Sequence, residues 1–438
     1  MGTSGPEDVS TRLQRIAEQA RKAPGMAFTT LAHHIDVELL REAHRITRKD
    51  GATGVDGETA QQYAANLEEN LVSLHERLKA GTYRAPPVKR VHIPKGDGSK
   101  TRPIGIPTFE DKILQRAVTM VLEAVYEQDF RDCSYGFRPQ RSAHQALERL
   151  WKRAMDSGAV VLEVDIQAFF DSLDHGHLRN FLDLRVRDGV VRRVIDKWLK
   201  AGVLEEGSVS YPEAGTPQGG VISPLLANVY LHEVIDKWFA DEVRPRLLGR
   251  ADLVRYADDF VIVFTREEDA RRVLDVLPKR LAKYGLTLHP MKTRLVQFRP
   301  SGPGRGEPGS FDFLGFTHFW AQSRKGRWVV KRKTARGRFS RALKRIAQWC
   351  KSHRHCEVRE QHRHLCQAVR GHYGYFGLPG NSKAIASFAY RVVLVWAKWL
   401  QRRSQRLMTT TRVAALLDRY PLPPPRIKRL AHPNAANP

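Results

Sequence analysis

Residues 253–264, LVRYADDFVIVF, set two aspartates side by side in an otherwise apolar run rich in β-branched and aromatic residues. Such a run reads as a buried strand, and a buried strand excludes bare carboxylates. The conflict is resolved if Asp258 and Asp259 occupy the turn of a hairpin, so that the charges face a cleft while their neighbours stay inside. An Asp-rich surface turn is the plainer alternative. A second run decides between them, because AVVLEVDIQAFF, residues 159–170, carries Asp165 at the end of another β-branched strand about ninety residues earlier. Carboxylates converging from two neighbouring strands, without basic partners in the local sequence, repel one another unless a divalent cation sits between them. Oxygen-only ligands select Mg²⁺, with Mn²⁺ as the alternative, over zinc. Two such ions about 3.5–4 Å apart would stabilise both the attacking and the leaving oxygen of an in-line phosphoryl displacement.

The rest of the chain supplies a mixed α/β frame for these strands. HHIDVELLREAHRIT and NLEENLVSLHERLKA have helical period, with the turn chemistry of DGATGVDG between them. VKRVHIPKGDGSKTRPIGIP predicts a hairpin with a basic tip, and DKILQRAVTMVLEAVYEQDF a helix. The runs LTLHPMKTRLVQF and FDFLGFTHF predict two further strands, split by SGPGRGEPG, and from about residue 325 the pattern predicts basic helices. In AIASFAYRVVLVWAKWLQRRSQR, Ile385, Phe388, Val392, Trp396 and Trp399 form one apolar stripe. The two tryptophans are expected in the core.

Charge narrows the partner class. From Ala321 to Pro438 there are 27 Lys and Arg against three acids, Glu357, Glu360 and Asp418, whereas the first 320 residues carry 46 basic and 44 acidic groups. So one-sided a block favours a polyanion, whose counterions are released as arginines replace them. With 438 residues and 42% apolar content the chain is long enough for two or three domains. Neither a signal peptide nor a membrane span is evident, and the expectation is a cytoplasmic protein with no membrane partner. Four irregularly spaced cysteines argue for reduced thiols. The cluster Cys350, His355, Cys356, His362, His364 and Cys366 lacks the short Cys-x-x-Cys steps of a zinc site, and is expected to be basic helical surface with buried thiols.

The order of segments carries a resemblance. IPKGDGSKTRPIGIPTFEDKILQRAV, SYGFRPQRSAHQAL, VDIQAFFDSLDH, GTPQGGVISPLLANVYLHEVID, RYADDFVIVF, LHPMKTRLVQF and FDFLGF follow one another as in the group II intron-encoded reverse transcriptase/maturase family, which the chain resembles from about residue 26 to 430. RGHYGYFG and WAKWLQRRSQR look like its maturase, or thumb, domain. The resemblance implies an α/β (α+β) right-hand polymerase in three parts. These are an N-terminal extension with a template-lid loop (1–90), fingers and palm with an antiparallel sheet (91–324), and a basic all-helical thumb/maturase domain with a Pro-rich tail (325–438).

Carried over residue by residue, Asp165, Asp258, Asp259 and the Ile166 carbonyl would hold the metal ions. Lys95 and Arg102 would grip the triphosphate, Gln218 would steady the incoming nucleotide, and Phe170 would pack under its sugar and clash with a ribose 2′-hydroxyl. Lys292 would protonate or neutralise the departing pyrophosphate, and Arg138, with the basic helices ending at Arg402 and Arg403, would hold the duplex by its phosphates. The implied partners are an RNA template and intron RNA, a DNA primer and dNTPs, with a homodimer left open.

After PPPRIKRL the Cys-pair and HNH-like endonuclease of many relatives does not follow, nor does a further block of basic residues, so a compact class without target-strand cutting is expected. Two other readings stand beside the mobile-intron polymerase. One is a domesticated reverse transcriptase in DNA repair or phage defence, distinguished by flanking DNA without a group II ribozyme. The other is an RNA-binding splicing cofactor whose polymerase is idle, against which all three acids and the triphosphate cations stand intact.

Overall fold

Among the described residues, strands that alternate with amphipathic helices build three sheets. A computed structural model describes residues 8–95, 100–205, 207–211, 214–216, 219–301, 308–404 and 407–428. The chain divides into two compact units, residues 1–149 with 162–295, and residues 150–161 with 296–438.

In the first unit the hairpin expected around residues 88–107 is present as β1 (Val88–Lys95) and β2 (Lys100–Ile106), paired from Lys89↔Ile106 to Lys95↔Lys100. Its tip lies outside the described residues. β4 (Val203–Glu205) joins β1 in parallel and β5 (Ser208–Ser210) completes a sheet of order β2-β1-β4-β5. Directly after β2, Thr108 caps the helix Phe109–Tyr126 by accepting the Asp111 N–H. That helix is apolar on most of its circumference, and Ile113, Leu114, Ala117, Val118, Val121 and Leu122 are fully buried, as a helix packed on several sides requires.

The second sheet has the order β6-β7-β3-β8, with β3 Val160–Asp165, β6 Ala251–Tyr256, β7 Asp259–Phe264 and β8 Arg294–Gln297. Three of these strands are nearly continuous apolar runs, which suits strands covered on both faces. Of LTLHPMKTRLVQF only Arg294–Gln297 is strand, and Leu288 adds an isolated bridge to Ile166.

The second unit contains an antiparallel sheet of order β11-β10-β9, formed by β9 Ser310–Phe313, β10 Phe316–Gln322 and β11 Trp328–Thr334. The expectation of helices from residue 325 is therefore corrected. WVVKRKT buries every second residue from Val330, namely Val330, Arg332 and Thr334, and pairs with β10, and the helices begin at Arg336. Four helices follow, Arg336–Ser352, Val358–Phe376, Ser382–Gln401 and Thr410–Arg419. The predicted stripe is their core: Ile385, Phe388, Val392 and Trp396 are buried, while Trp399 is partly buried against them. The Trp396 indole N–H donates to the enclosed Gln361 side chain at 3.0 Å. Cys350 and Cys366 are buried free thiols, and the Cys366 Sγ lies 3.2 Å from His362 Nε2. Among the described residues no helix is long and apolar enough to cross a membrane.

Candidate active site

The β6–β7 hairpin closes through a two-residue loop, Ala257–Asp258, with Tyr256 paired to Asp259. Only Asp258 of the two predicted turn acids is in the turn, and Asp259 is the first residue of β7. Ala257 sits in the left-handed region at φ +56°, the conformation that a tight two-residue hairpin needs at its first position.

That strained turn is held from beneath. Arg255, in the apolar part of β6 and fully buried, donates to both oxygens of Asp236 (2.8 and 2.5 Å), to Asn228 Oδ1 (3.0 Å) and to the Ala257 carbonyl (3.0 Å). Asn228 and Asp236 lie eight residues apart on the helix that starts at Ser223. An ideal α-helix would leave them about 80° apart. The helix widens to π turns at His232–Asp236, which adds residues per turn and returns Asp236 to the face of Asn228.

The segment Cys133–Gly136 runs beside β6, with the Arg255 N–H donating to the Cys133 carbonyl and the Tyr135 N–H to the Arg255 carbonyl, at 2.8 and 2.9 Å. Asn228 Nδ2 donates to the Gly136 carbonyl at 2.8 Å. A Cβ on Gly136 would stand 2.4 Å from the Ala257 nitrogen, so only glycine lets this backbone pass under the turn.

Asp165 ends β3 and is half-buried. Its carbonyl accepts the His289 N–H at 2.8 Å, and the Gln167 N–H donates to the Thr287 carbonyl at 2.8 Å. These bonds bring the turn carrying Lys292 alongside, and the Lys292 ammonium reaches Asp165 Oδ2 at 2.5 Å. Burial first, and then the negative charge of Asp165, hold the Asp258 carboxyl above its usual range, against the pull of a backbone N–H and of the Arg102 and Arg255 guanidiniums. Asp165 and Arg102 are thus each within electrostatic reach of Asp258. The expectation of no basic partner in the local sequence is corrected by Arg255, three residues before Asp258 and within its electrostatic reach, and the fold adds Lys292, which pairs with Asp165 from a distant part of the chain.

A hard divalent cation fits the donor chemistry, since a buried carboxyl raised by a neighbouring negative charge gains from a shared positive charge. Lys292 already meets part of that demand at Asp165. Among the described residues no three His, Cys, Asp or Glu side chains are gathered closely enough to hold an ion.

The other predicted residues fall out as follows. Phe170 is half-buried in the short helix Phe169–Ser172, its ring 5.4 Å from that of Phe169 in an edge contact. The Phe170 carbonyl accepts the Thr216 N–H at 2.8 Å, which ties this turn to the Gly-rich loop. Ile166 is buried, bridged to Leu288. Arg102 is exposed on β2. Lys95 ends β1, and its side chain, like all of Gln218, lies outside the described residues.

Arg138 is corrected. It is 6% exposed, its guanidinium held by Glu127 at 2.8–3.1 Å and by the carbonyls of Arg131 and Ser134, both at 2.9 Å, and it lies over the Phe130 ring. With its donors turned inward it braces the Cys133–Gly136 segment instead of meeting a phosphate. Arg402 is exposed at the end of its helix, and Arg403 is half-buried, donating to the Cys356 carbonyl at 3.4 Å.

Residues 93–318, just over half of the chain, match the family of reverse transcriptases (RNA-dependent DNA polymerases). The group II intron-encoded protein LtrA of Lactococcus lactis subsp. cremoris is 40% identical over 230 residues, covering 52% of this chain and 38% of LtrA. Protein YkfC of Escherichia coli is 35% identical over 290 residues, covering 58% of this chain and 75% of YkfC. An uncharacterized 91 kDa protein in the cob intron of Schizosaccharomyces pombe is 40% identical over 159 residues, 36% of this chain and 20% of that protein. The chain belongs to the reverse transcriptase family, in its group II intron-encoded reverse transcriptase/maturase branch. It spans less than half the length of LtrA.

Proposed function

We propose that the chain is an RNA-directed DNA polymerase of group II intron type that also binds intron RNA to assist splicing and mobility. The observation that carries this is the convergence of Asp165, at the end of one strand, on Asp258, in the turn of its neighbouring hairpin, with Arg102 in reach of the same charge. In this reading β1 and β2 belong to the fingers, the β6-β7-β3-β8 sheet is the palm, residues 1–90 the template-lid extension and residues 325–438 the thumb/maturase domain. Relatives named from introns, such as the putative COX1/OXI3 intron 2 protein of Saccharomyces cerevisiae, favour mobile-intron biology over a domesticated role.

Asp165, Asp258, Asp259 and the Ile166 carbonyl would hold Mg²⁺, or Mn²⁺. When bound, the ions supply charge to lower the pKa of a primer 3′-hydroxyl and to neutralise the pyrophosphate that leaves as the hydroxyl oxygen attacks the α-phosphorus of a dNTP. The chain's own groups orient the reactants. Arg102 offers the planar fork that suits a phosphate, and Lys95 adds a second cation on the facing strand. Lys292, which pairs with Asp165, would on release give its proton or its charge to the pyrophosphate. Gln218 steadies the nucleotide, and a homodimer stays open.

The test is primer extension by the purified protein on an RNA template with a DNA primer, dNTPs and Mg²⁺. Product is expected, and its absence with intact RNA binding would support the idle-cofactor reading instead. Phe170→Ala is expected to admit ribonucleotides, raising their use relative to dNTPs by about tenfold, the scale of one lost steric contact. Unaltered sugar discrimination would return Phe170 to a packing role.

RNA affinity is expected to fall steeply with salt, as the block of 27 Lys and Arg after residue 320 implies. A slope of six or more phosphates' worth corresponds to a loss of about a thousandfold or more between 50 and 200 mM salt. A flat dependence would contradict the basic-thumb reading.

A further inference from the structure

Within the first unit a fully enclosed carboxylate stands away from the acids described above. Asp111, 2% exposed, accepts from the Tyr83 hydroxyl and from Trp198 Nε1 (2.6 Å) on one oxygen, and from Gln115 Nε2 (3.0 Å) on the other. Gln115, 3% exposed, turns its Oε1 to the N–H groups of Val221 (2.7 Å) and Ile222 (3.3 Å), just beyond the glycines of PQGG. We infer that Asp111 and Gln115 are positioning residues that fix the Gly219–Ile222 backbone against β2, the strand that carries Arg102.

The polarity of the chain of bonds allows one arrangement. Val221 N–H can only donate, so the amide oxygen of Gln115 must face it and the NH₂ must face Asp111. Asp111, pushed up to about 6 by burial against the pull of its three donors, presents acceptor oxygens to all of them at neutral pH. The same stretch of backbone is fixed at a second point. Gly219 has φ +126°, and a Cβ there would lie 2.5 Å from the Gly105 carbonyl oxygen on β2. Helix Phe109–Tyr126 follows β2 after a two-residue link, so both anchor points belong to one continuous piece of chain. Any shift of the loop relative to Arg102 must break a buried hydrogen bond or push through the Gly105 carbonyl.

This rests on the polymerase reading for its kinetic arm alone. Asp111→Asn would turn an NH₂ toward Gln115, flip its amide and set a donor against Val221 N–H. The full-length variant is expected to raise KM for dNTPs about tenfold with kcat within about twofold, and to speed amide exchange at Val221 and Ile222 about tenfold, relative to helix Phe109–Tyr126 in the same sample. Adding Gln115→Glu reverses the donors, since the new side-chain amide at position 111 can then give its N–H to a carboxylate that still accepts from Val221, and both readouts are expected to return toward wild type. If Asp111→Asn does not fold, Gln115→Met removes the side-chain amide, acceptor and donor together, leaves Asp111 its Tyr83 and Trp198 donors, and should reproduce the exchange effect. Unchanged exchange at Val221 and Ile222, or a double variant no better than Asp111→Asn, overturns the inference. A wild-type protein that extends no primer overturns the polymerase reading, and the exchange arm still decides this one.

Discussion

Asp258→Ala is expected to abolish primer extension, a loss of about three orders of magnitude or more, while RNA affinity changes by less than about twofold. The scale follows from asking one carboxylate to supply several kcal/mol of transition-state charge stabilisation through the cation that it shares. Burial and the charge of Asp165 hold Asp258 above its usual range, so its ionised form is one that the fold resists. Removing it should leave the melting temperature level or slightly raised. Lost activity with an unlowered Tm separates a catalytic role from a folded-state defect, and the trade is the usual one between a functional charge and local stability. A variant that still polymerises at wild-type rate would remove Asp258 from the metal site, and with it the proposal that this cleft transfers nucleotides.

The strands that carry Asp165 and Asp259 were legible because their signal is local. VVLEVD and DFVIVF carry their β-branched period in a few residues, and an acid at the end of such a run stands out. The helix Phe109–Tyr126 and the apolar stripe of Ser382–Gln401 were equally plain. What could not be read was which charges are spent on holding the frame. Arg138 and Arg102 look alike in the sequence, yet one is enclosed by Glu127 and two carbonyls and the other is exposed. The difference lies in Glu127 and in the course of residues 131–134, which no periodicity reports.

Arg255 was missed for a related reason. A cation inside LVRYADD demands a buried acid, and that demand was the available signal, but the acid is 19 residues away on a helix whose π turn alone aligns it. β11 was hidden by composition. Its apolar residues come first and Lys331, Arg332 and Lys333 follow in a row, so no residue-type alternation marks the strand, and it sits at the head of a block whose charge suggested helices throughout.

Asp236→Ala is expected to cost about 3–5 kcal/mol of stability, the largest structural effect predicted for this chain. Asp236 and Arg255 are both fully enclosed, and truncating one leaves the other a buried charge with only Asn228 and a carbonyl to compensate it. The comparison is Arg131–Asp241, about half exposed on each side, where Asp241→Ala should change stability by less than about 1 kcal/mol. Urea denaturation followed by tryptophan fluorescence measures both. Because Arg255 also holds the Ala257 carbonyl, the damage should extend from stability to the turn itself, and a surviving folded fraction of Asp236→Ala should extend primers poorly although every residue in the cleft is intact. Replacing both partners, Arg255→Leu with Asp236→Leu, takes the orphaned charge away and should recover part of the stability but little of the activity, since Ala257 still lacks its donor. Wild-type activity in the double variant would mean that the left-handed turn stands without Arg255, and the path from the buried ion pair to the position of Asp258 would then have to run through Gly136 and the backbone beneath it.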